Sequence, residues 1–373
     1  MAVLTAVAVL AGVMVVGGFA VPARAAGPFE PIIGDVTGDR VPDVVVLTAI
    51  PALRAAGAAP SLNCAAEVRP GLPNGGVGEP AMYTYMTLPR EQPCPDMGAA
   101  ADVNGAGVDE LMLTWFAGPP PAAPDSMVTV KDFHVVAVTN ALYQPSYVDR
   151  GHFNGDDLED IYEWSDQGEG YATFLSDGDG TFTPGPEKYC AKPLQSPTVR
   201  DFNHNGPQDA LISYIENCAD NSSGVVVVLD NGSVQQLQND PDGLTSWTAR
   251  VVHANEDGNP DILTINQQTG QQQYFINTGT GAFVLAPKAV PDHATVSNSR
   301  PTTIPVLAND YATRDVTVSI TRKPRYGQVR VTSAGTVIYT PDSRHGGSDW
   351  FVYQLSERGR TSSAGVGITF TTR

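Results

Sequence analysis

Five short apolar runs, at residues 44–47, 111–115, 161–164, 210–215 and 262–265, each follow a polar loop of nine residues. The loops read D-V-T-G-D-R-V-P-D from Asp35, D-V-N-G-A-G-V-D-E from Asp102 and H-F-N-G-D-D-L-E-D from His152. Two more follow, D-F-N-H-N-G-P-Q-D from Asp201 and H-A-N-E-D-G-N-P-D from His253. Their starts lie 67, 50, 49 and 52 residues apart. A period of this size predicts a repeat architecture whose unit has the length of one four-stranded propeller blade. From about residue 289 the texture changes. Apolar positions alternate with polar ones at 316–320, 328–331, 337–339, 350–355 and 365–370, with turns between. Such a period of two predicts the short strands of a β-sandwich. The expected fold is therefore all-β: a β-propeller of about five blades over residues 29–287, a join at 287–291 and a sandwich over 289–373.

The residue types in the loops point to a hard cation. Oxygen ligands at positions 1, 3 and 5, a main-chain carbonyl at 7 and a carboxylate at 9 let a tight turn wrap calcium, which takes six to eight oxygens. The first loop offers Asp35, Thr37, Asp39, the Val41 carbonyl and Asp43. The second offers Asp102, Asn104, the Val108 carbonyl and Glu110, while Ala106 leaves position 5 without an oxygen. The third has Asn154, Asp156, the Leu158 carbonyl and Asp160. The fourth has Asp201, Asn203, Asn205, the Pro207 carbonyl and Asp209. The fifth has Asn255, Asp257, the Asn259 carbonyl and Asp261. His152 and His253 open the third and fifth loops, and imidazole nitrogen is a poor match for calcium, so those sites are expected to be weaker or empty. The competing reading is metal-free turns, because Asp and Asn bond their own backbone in such loops.

The loops resemble the FG-GAP or VCBS-type repeats of integrin-like β-propellers, whose consensus runs close to G-D-F-N-G-D-G-x-P-D before an apolar strand. Residues 34–46 are a near match. Two further segments, F-L-S-D-G-D-G-T-F-T-P from Phe174 and F-I-N-T-G-T-G-A-F-V-L from Phe275, look like the family's strand–turn–strand, in which a Gly-rich turn leads into an aromatic strand. The resemblance implies a propeller with Ca2+ in its blade loops and a role in adhesion or ligand binding. The words V-L-A-N-D (306–310), G-Q-V-R-V (327–331), G-T-V-I-Y-T-P-D (335–342) and G-S-D-W-F-V-Y-Q-L (347–355) resemble bacterial cadherin-like or Ig-like tandem modules. Such modules act as spacers or adhesive units at cell surfaces.

Residues 3–21 are almost wholly apolar and Ala23-Arg24-Ala25 suits a small-x-small cleavage site, so residues 1–25 read as a signal peptide. An uncleaved anchor is the rival, because the run approaches spanning length. No later stretch is apolar enough to span. Export suits the four cysteines, which in an oxidising compartment form two disulfides. Three pairings are possible. Cys64–Cys94 and Cys190–Cys218 are expected, since each joins residues within one repeat length.

Charge separates the two regions. From Lys288 onward eleven Lys and Arg stand against six Asp and Glu, a net of +5, while the whole chain carries −18, leaving −23 before it. An acidic repeat region repels nucleic acid and anionic membranes. The basic run Arg322, Lys323, Arg325 and Arg330 is either an anion-binding patch or a solvated face. No G-x-S-x-G, H-E-x-x-H or phosphate loop occurs, so the chain does not read as an enzyme. The aromatics Tyr83, Tyr85, Trp115, Tyr162, Trp164, Trp247 and Tyr274 could stack on sugars, but their alternation places most of them in cores. The chain reads as a secreted or surface-attached bacterial binding or adhesion protein for an extracellular protein or glycan. The alternatives are a lectin, or a carbohydrate-active enzyme on a propeller scaffold.

Overall fold

The computed structural model describes residues 30–52, 60–90, 92–116, 127–139, 142, 145–165, 170–297, 300–342 and 347–371. The leader expected over 1–25 lies outside them. Among the described residues every element is a strand, and no helix is long and apolar enough to cross a membrane.

Five sheets follow one another along the chain. The first runs β1 (Ile32–Gly34), β2 (Asp43–Pro51), β3 (Ser61–Arg69), β4 (Ala81–Pro89). The second runs β5 (Met97–Ala101), β6 (Glu110–Thr114), β7 (Met127–Lys131), β8 (His134–Thr139). The third holds β9 (Tyr147–Gly151), β10 (Asp160–Trp164), β11 (Tyr171–Ser176) and β12 (Phe182–Tyr189), again in chain order. In the fourth, β13 (Ala191–Pro193) and β14 (Thr198–Arg200) both pair β15 (Asp209–Asn217), followed by β16 (Ser223–Val228) and β17 (Val234–Asp240). The fifth runs β18 (Trp247–Val252), β19 (Asp261–Asn266), β20 (Gln272–Asn277), β21 (Phe283–Leu285). Each is open and none closes into a barrel.

The second strand of each sheet is the apolar run picked out from the sequence. β6, β10 and most of β15 and β19 are buried along their length. Continuous Val, Ile and Leu suits strands buried on both faces, whereas the last strands, such as β8 and β17, are largely exposed and mixed.

The chain divides into two compact units. The first comprises the described residues up to 150, with 158–161 and 176–183. Its core gathers Ile32, Val45, Val68, Leu111, Val128 and Val130. The second comprises 151–157, 162–175 and 184–373. One core within it joins Phe202, Leu211, Val225, Trp247, Ile262 and Phe275. Full burial of one such side chain stabilises by about 1.5–3 kcal/mol. Most of the aromatics lie in cores, as expected: Tyr85, Trp115, Tyr162, Trp164 and Trp247 are buried, Tyr274 is half-buried, and Tyr83 lies at the surface, stacked on Phe133.

The carboxy-terminal part of the second unit is a two-sheet, Ig-like sandwich. One sheet has the order β22 (Asp292–Val296), β28 (Arg360–Phe370), β27 (Ser348–Glu357), β24 (Thr317–Arg322), and β22 pairs β28 in parallel. The other has the order β23 (Thr302–Ile304), β26 (Val337–Pro341), β25 (Gly327–Val331). Inward residues Val337, Tyr339, Phe351, Tyr353, Val366 and Ile368 fill the space between. The segment expected as a join is tied to the sandwich: Lys288 and Tyr311 exchange main-chain bonds, and the Val290 N–H donates to Asp310 at 2.7 Å. Both expected disulfides form, Cys64–Cys94 with Cα atoms 5.4 Å apart and Cys190–Cys218 at 5.6 Å.

Candidate metal loops

Each acidic loop joins the strand before it to the second strand of its sheet, and its position 9 is that strand's first residue: Asp43, Glu110, Asp160, Asp209 and Asp261. In loops one, two and four positions 4 and 6 both swing to positive φ, as at Gly105 and Gly107, and in the fifth, position 6 does so at Gly258. Position 6 of the first loop is Arg40 at φ 67°, a region that costs a side-chain-bearing residue free energy.

Position 1 organises the turn. Asp35 accepts the N–H groups of Asp39 and Arg40, Asp102 those of Ala106 and Gly107, and Asp201 those of Asn205 and Gly206. At position 3, Asn104, Asn154, Asn203 and Asn255 each accept the N–H of position 5. These carboxylate and amide oxygens therefore sit on one concave turn, and each keeps further lone pairs.

Position 9 points the other way, into the sheet. Asp43 accepts from Thr37 N–H and Gly71 N–H, at 2.9 and 2.8 Å. Asp209 accepts from Phe202 and Asp230, and Asp261 from Ala254 and Asn277. In each case one oxygen holds the start of the loop and the other holds the turn after the third strand. These fully buried side chains staple the repeat together. In the second loop the longer Glu110 reaches Asn104 and Lys131 instead, and its Oε2 is buried without a hydrogen-bond partner.

Position 8, passed over in the sequence, clamps consecutive loops. Asp109 N–H donates to the Asp35 carbonyl while Asp109 Oδ2 accepts the Asp35 N–H, both at 2.9 Å. Glu159 repeats the exchange with Asp102, and Gln208 with His152. Arg150 donates to both Asp109 (2.9 Å) and Glu159 (3.0 Å). In the fifth loop position 8 is Pro260, which has no N–H, and His204 meets Asn259 instead. The sequence signal was the acidic or amide residue just before position 9 in loops two to four.

The electrostatics of the loops are unbalanced. Burial pushes Asp209 up to about 6, and the Asp230 and Asp201 charges add to it against two main-chain hydrogen bonds. Burial likewise raises Glu110, opposed by Lys131, and Asp261, opposed by N–H donors from Asn277 and Ala254. Asp109 is raised by burial despite the Arg150 guanidinium. A cation in such a loop offsets this crowding of negative charge. Asp230 is an acid that the sequence reading missed. It accepts from Asn203 and Asn205, both at 3.0 Å, and so adds a carboxylate to the fourth loop.

The donor sets of the first and fourth loops fit a hard cation, with Asp35 and Asp39, and with Asp201, Asn203, Asn205 and Asp230. The fifth fits less well. His253 Nδ1 donates to the Asn259 carbonyl at 3.0 Å, so imidazole takes an oxygen that the calcium reading assigns to metal. Among the described residues no three His, Cys, Asp or Glu side chains converge as a metal cluster. The loops' amide and main-chain oxygens fall outside that definition. A cleft of about 510 Å³ adjoins loops three and four, lined by His152, Asn154, Asp156, Asp201, Asn205 and Gln208.

Comparison with known proteins identifies one region. The family described as bacterial Ig domain matches residues 285–369. No curated protein matches the chain. Among solved structures, BBS1N in complex with ARL6DN is similar at 10% identity, over 87% of this chain and 95% of that one, with a TM-score of 0.31. An endo-fucoidan hydrolase of glycoside hydrolase family 107 is similar at 12% identity, over 53% of this chain and 40% of its own, with a TM-score of 0.21. A SusE-like surface-located polysaccharide binding protein from the Bacteroides thetaiotaomicron heparin utilisation locus is similar at 10% identity, over 57% and 42%, with a TM-score of 0.18. This chain spans less than half the length of the last two.

Proposed function

We propose that the chain is an exported, surface-associated binding protein in which calcium-stabilised repeats, arranged as propeller blades, are followed by an Ig-like module. The bacterial Ig match and the two disulfides support an extracellular setting. The observation that carries the calcium reading is the fourth loop. There Asp201 and Asp230 bring two carboxylates to one turn, Asp230 accepting from the Asn203 and Asn205 amide N–H groups, beside a buried Asp209 whose ionised form is disfavoured. The ligand is an extracellular protein or glycan, and the cleft between loops three and four suits the lectin version of this reading. The chain acts by binding and not by catalysis, and its loop acids serve structure and metal. Calorimetric titration of the chelator-treated protein with Ca2+ tests the metal. Asp35→Ala and Asp201→Ala are expected to remove the tightest phases, and His253→Asp to strengthen the fifth. Absence of any heat or melting shift with Ca2+ rejects the metal and leaves Asx-stabilised turns.

A further inference from the structure

The outer face of the β22–β28–β27–β24 sheet has an unusual make-up. Strand alternation puts Trp350, Val352, Gln354 and Ser356 outward from β27, opposite the inward Phe351, Tyr353 and Leu355. Across the register their partners on β28 are Gly367, Gly365, Ser363 and Thr361. On the other side Ser319 pairs Gln354, and Arg322 pairs Val352. Trp350 therefore stands beside Gly367 and Gly365, and the His293 ring covers Gly367, where an added Cβ would come within 2.7 Å of its Nδ1. A Cβ on Gly365 would meet nothing nearer than the Phe351 carbonyl at 3.9 Å, so the space there is open. Trp350 is 45% exposed.

The Arg322 guanidinium lies over this ring, 3.8 Å from its centroid. Stacking on an aromatic face fixes the guanidinium plane but leaves its N–H edges to bond elsewhere. Among the described residues Arg322, Lys323 and Arg325 have no ion-pair partner, whereas Arg69, Lys131, Lys192, Arg314 and Arg358 each have one and Arg150 has two. The nearby Asp349 does not neutralise them, because its oxygens are taken by Arg325 N–H, Tyr326 N–H, Trp350 N–H and the Tyr339 hydroxyl. The face thus combines an exposed ring, a pre-aligned fork of donors, unpaired positive charge and a floor of Gly, Ser and Gln.

We propose that this face binds an acidic polysaccharide, with Arg322 pairing a carboxylate or sulfate and Trp350 packing on a sugar ring. A sugar offers an apolar C–H face for the indole and hydroxyls for Ser319, Gln354 and Ser363, while a fork of N–H groups matches a planar carboxylate in bidentate fashion. Charge complementarity selects the anionic class: the region from Lys288 carries +5 in a chain of −18. The proposal names a ligand class for the binding role above and rests on that role. It does not depend on the loop cation.

The test is titration of the full chain, in chelator, with polygalacturonate, using dextran as the neutral comparator and anionic lipid vesicles as a second anionic surface. Polygalacturonate is expected to bind, dextran not to compete, and Trp350→Ala and Arg322→Gln each to weaken binding by about tenfold or more. Both side chains are at the surface, so the melting temperature of each variant is expected to stay at that of the parent. If Trp350→Ala fails to fold, Arg322→Gln decides alone. No binding, binding that both variants retain, or binding to vesicles but not to polygalacturonate overturns the proposal. The loop reading is scored separately by calcium-dependent melting, so failure of one is distinguishable from failure of the other.

Discussion

Asp209 in the repeat region and Asp349 in the sandwich are both buried aspartates at the start of a strand's apolar run, yet they are solved differently. Burial pushes Asp349 up, but main-chain N–H groups of Arg325, Tyr326 and Trp350, with the Tyr339 hydroxyl, hold its carboxyl below the ordinary range. Burial pushes Asp209 up too, and two N–H donors do not compensate while Asp201 and Asp230 press on it. At Asp349 the sandwich therefore satisfies a buried charge internally. The repeat loops leave a deficit of positive charge. A buried carboxylate met by four donors is complete as it stands, whereas one met by two donors and pressed by neighbouring acids would be relieved by a cation.

The comparison is broken most forcefully at covalent staples, since both disulfides lie in the repeat region and none in the sandwich. Replacing Cys64 and Cys94 together by Ala is expected to cost about 3 kcal/mol in denaturant unfolding. Loss of under about 1 kcal/mol would show that the loop is already held by other contacts.

Next comes Arg150, which stands between Asp109 and Glu159. Arg150→Ala leaves two partly buried carboxylates without a cation and is expected to cost about 2–3 kcal/mol, more at low salt. Arg150→Lys is expected to recover only part, because one ammonium does not match the same geometry. A neutral result for Arg150→Ala would mean that the position-8 clamps hold without it.

A third test concerns Asp292, which with Asp310 is a sandwich acid that burial raises. Asp292 is pushed up to about 6 by burial and by the Asp310 charge, with the Tyr353 hydroxyl and His293 pulling the other way. A raised folded value means its contribution is full below the ordinary 3.8 and is lost as pH rises through about 6. Melting is expected to fall across that window, and Asp292→Asn to flatten the curve. An unchanged pH profile in the variant would place the titration elsewhere.

The smallest expected effect is local strain. Arg40 holds φ 67° at a position where the second loop has Gly107. Arg40→Gly is expected to stabilise the protein by about 0.5–1 kcal/mol, because glycine adopts that geometry without a Cβ clash. Destabilisation would show that the Arg40 side chain has a role of its own.

Much of this was legible in the sequence for a definite reason. Repeat period, apolar runs, sandwich alternation and cysteine separation are local or one-dimensional signals, and each maps directly onto a strand, a turn or a staple. The position-8 clamps were only half legible: an acidic or amide residue stands before position 9, but Asp109, Glu159 and Gln208 act on a loop 50 or more residues away, which their own loop does not specify. Asp230 was missed for the same reason, arriving from the turn after β16. The sequence also placed every position 9 in the metal set, where Asp43, Asp209 and Asp261 spend their oxygens on main-chain N–H groups. The exposed Trp350 face needed strand register, which sets Gly367 and Gly365 on one side of the ring and brings Arg322 over it from the other strand.

The most direct measurement of the loop reading is thermal melting of the full chain in chelator and across a calcium series up to millimolar. Selective binding to the folded state predicts a midpoint that climbs with the logarithm of free Ca2+. At a hundred times the dissociation constant each independent site contributes about 2.7 kcal/mol. Asp35→Ala and Asp201→Ala should reduce that climb, and His253→Asp should increase it. A midpoint that stays level from chelator to millimolar Ca2+ would contradict the account, leaving five tight turns held by their own Asp and Asn side chains.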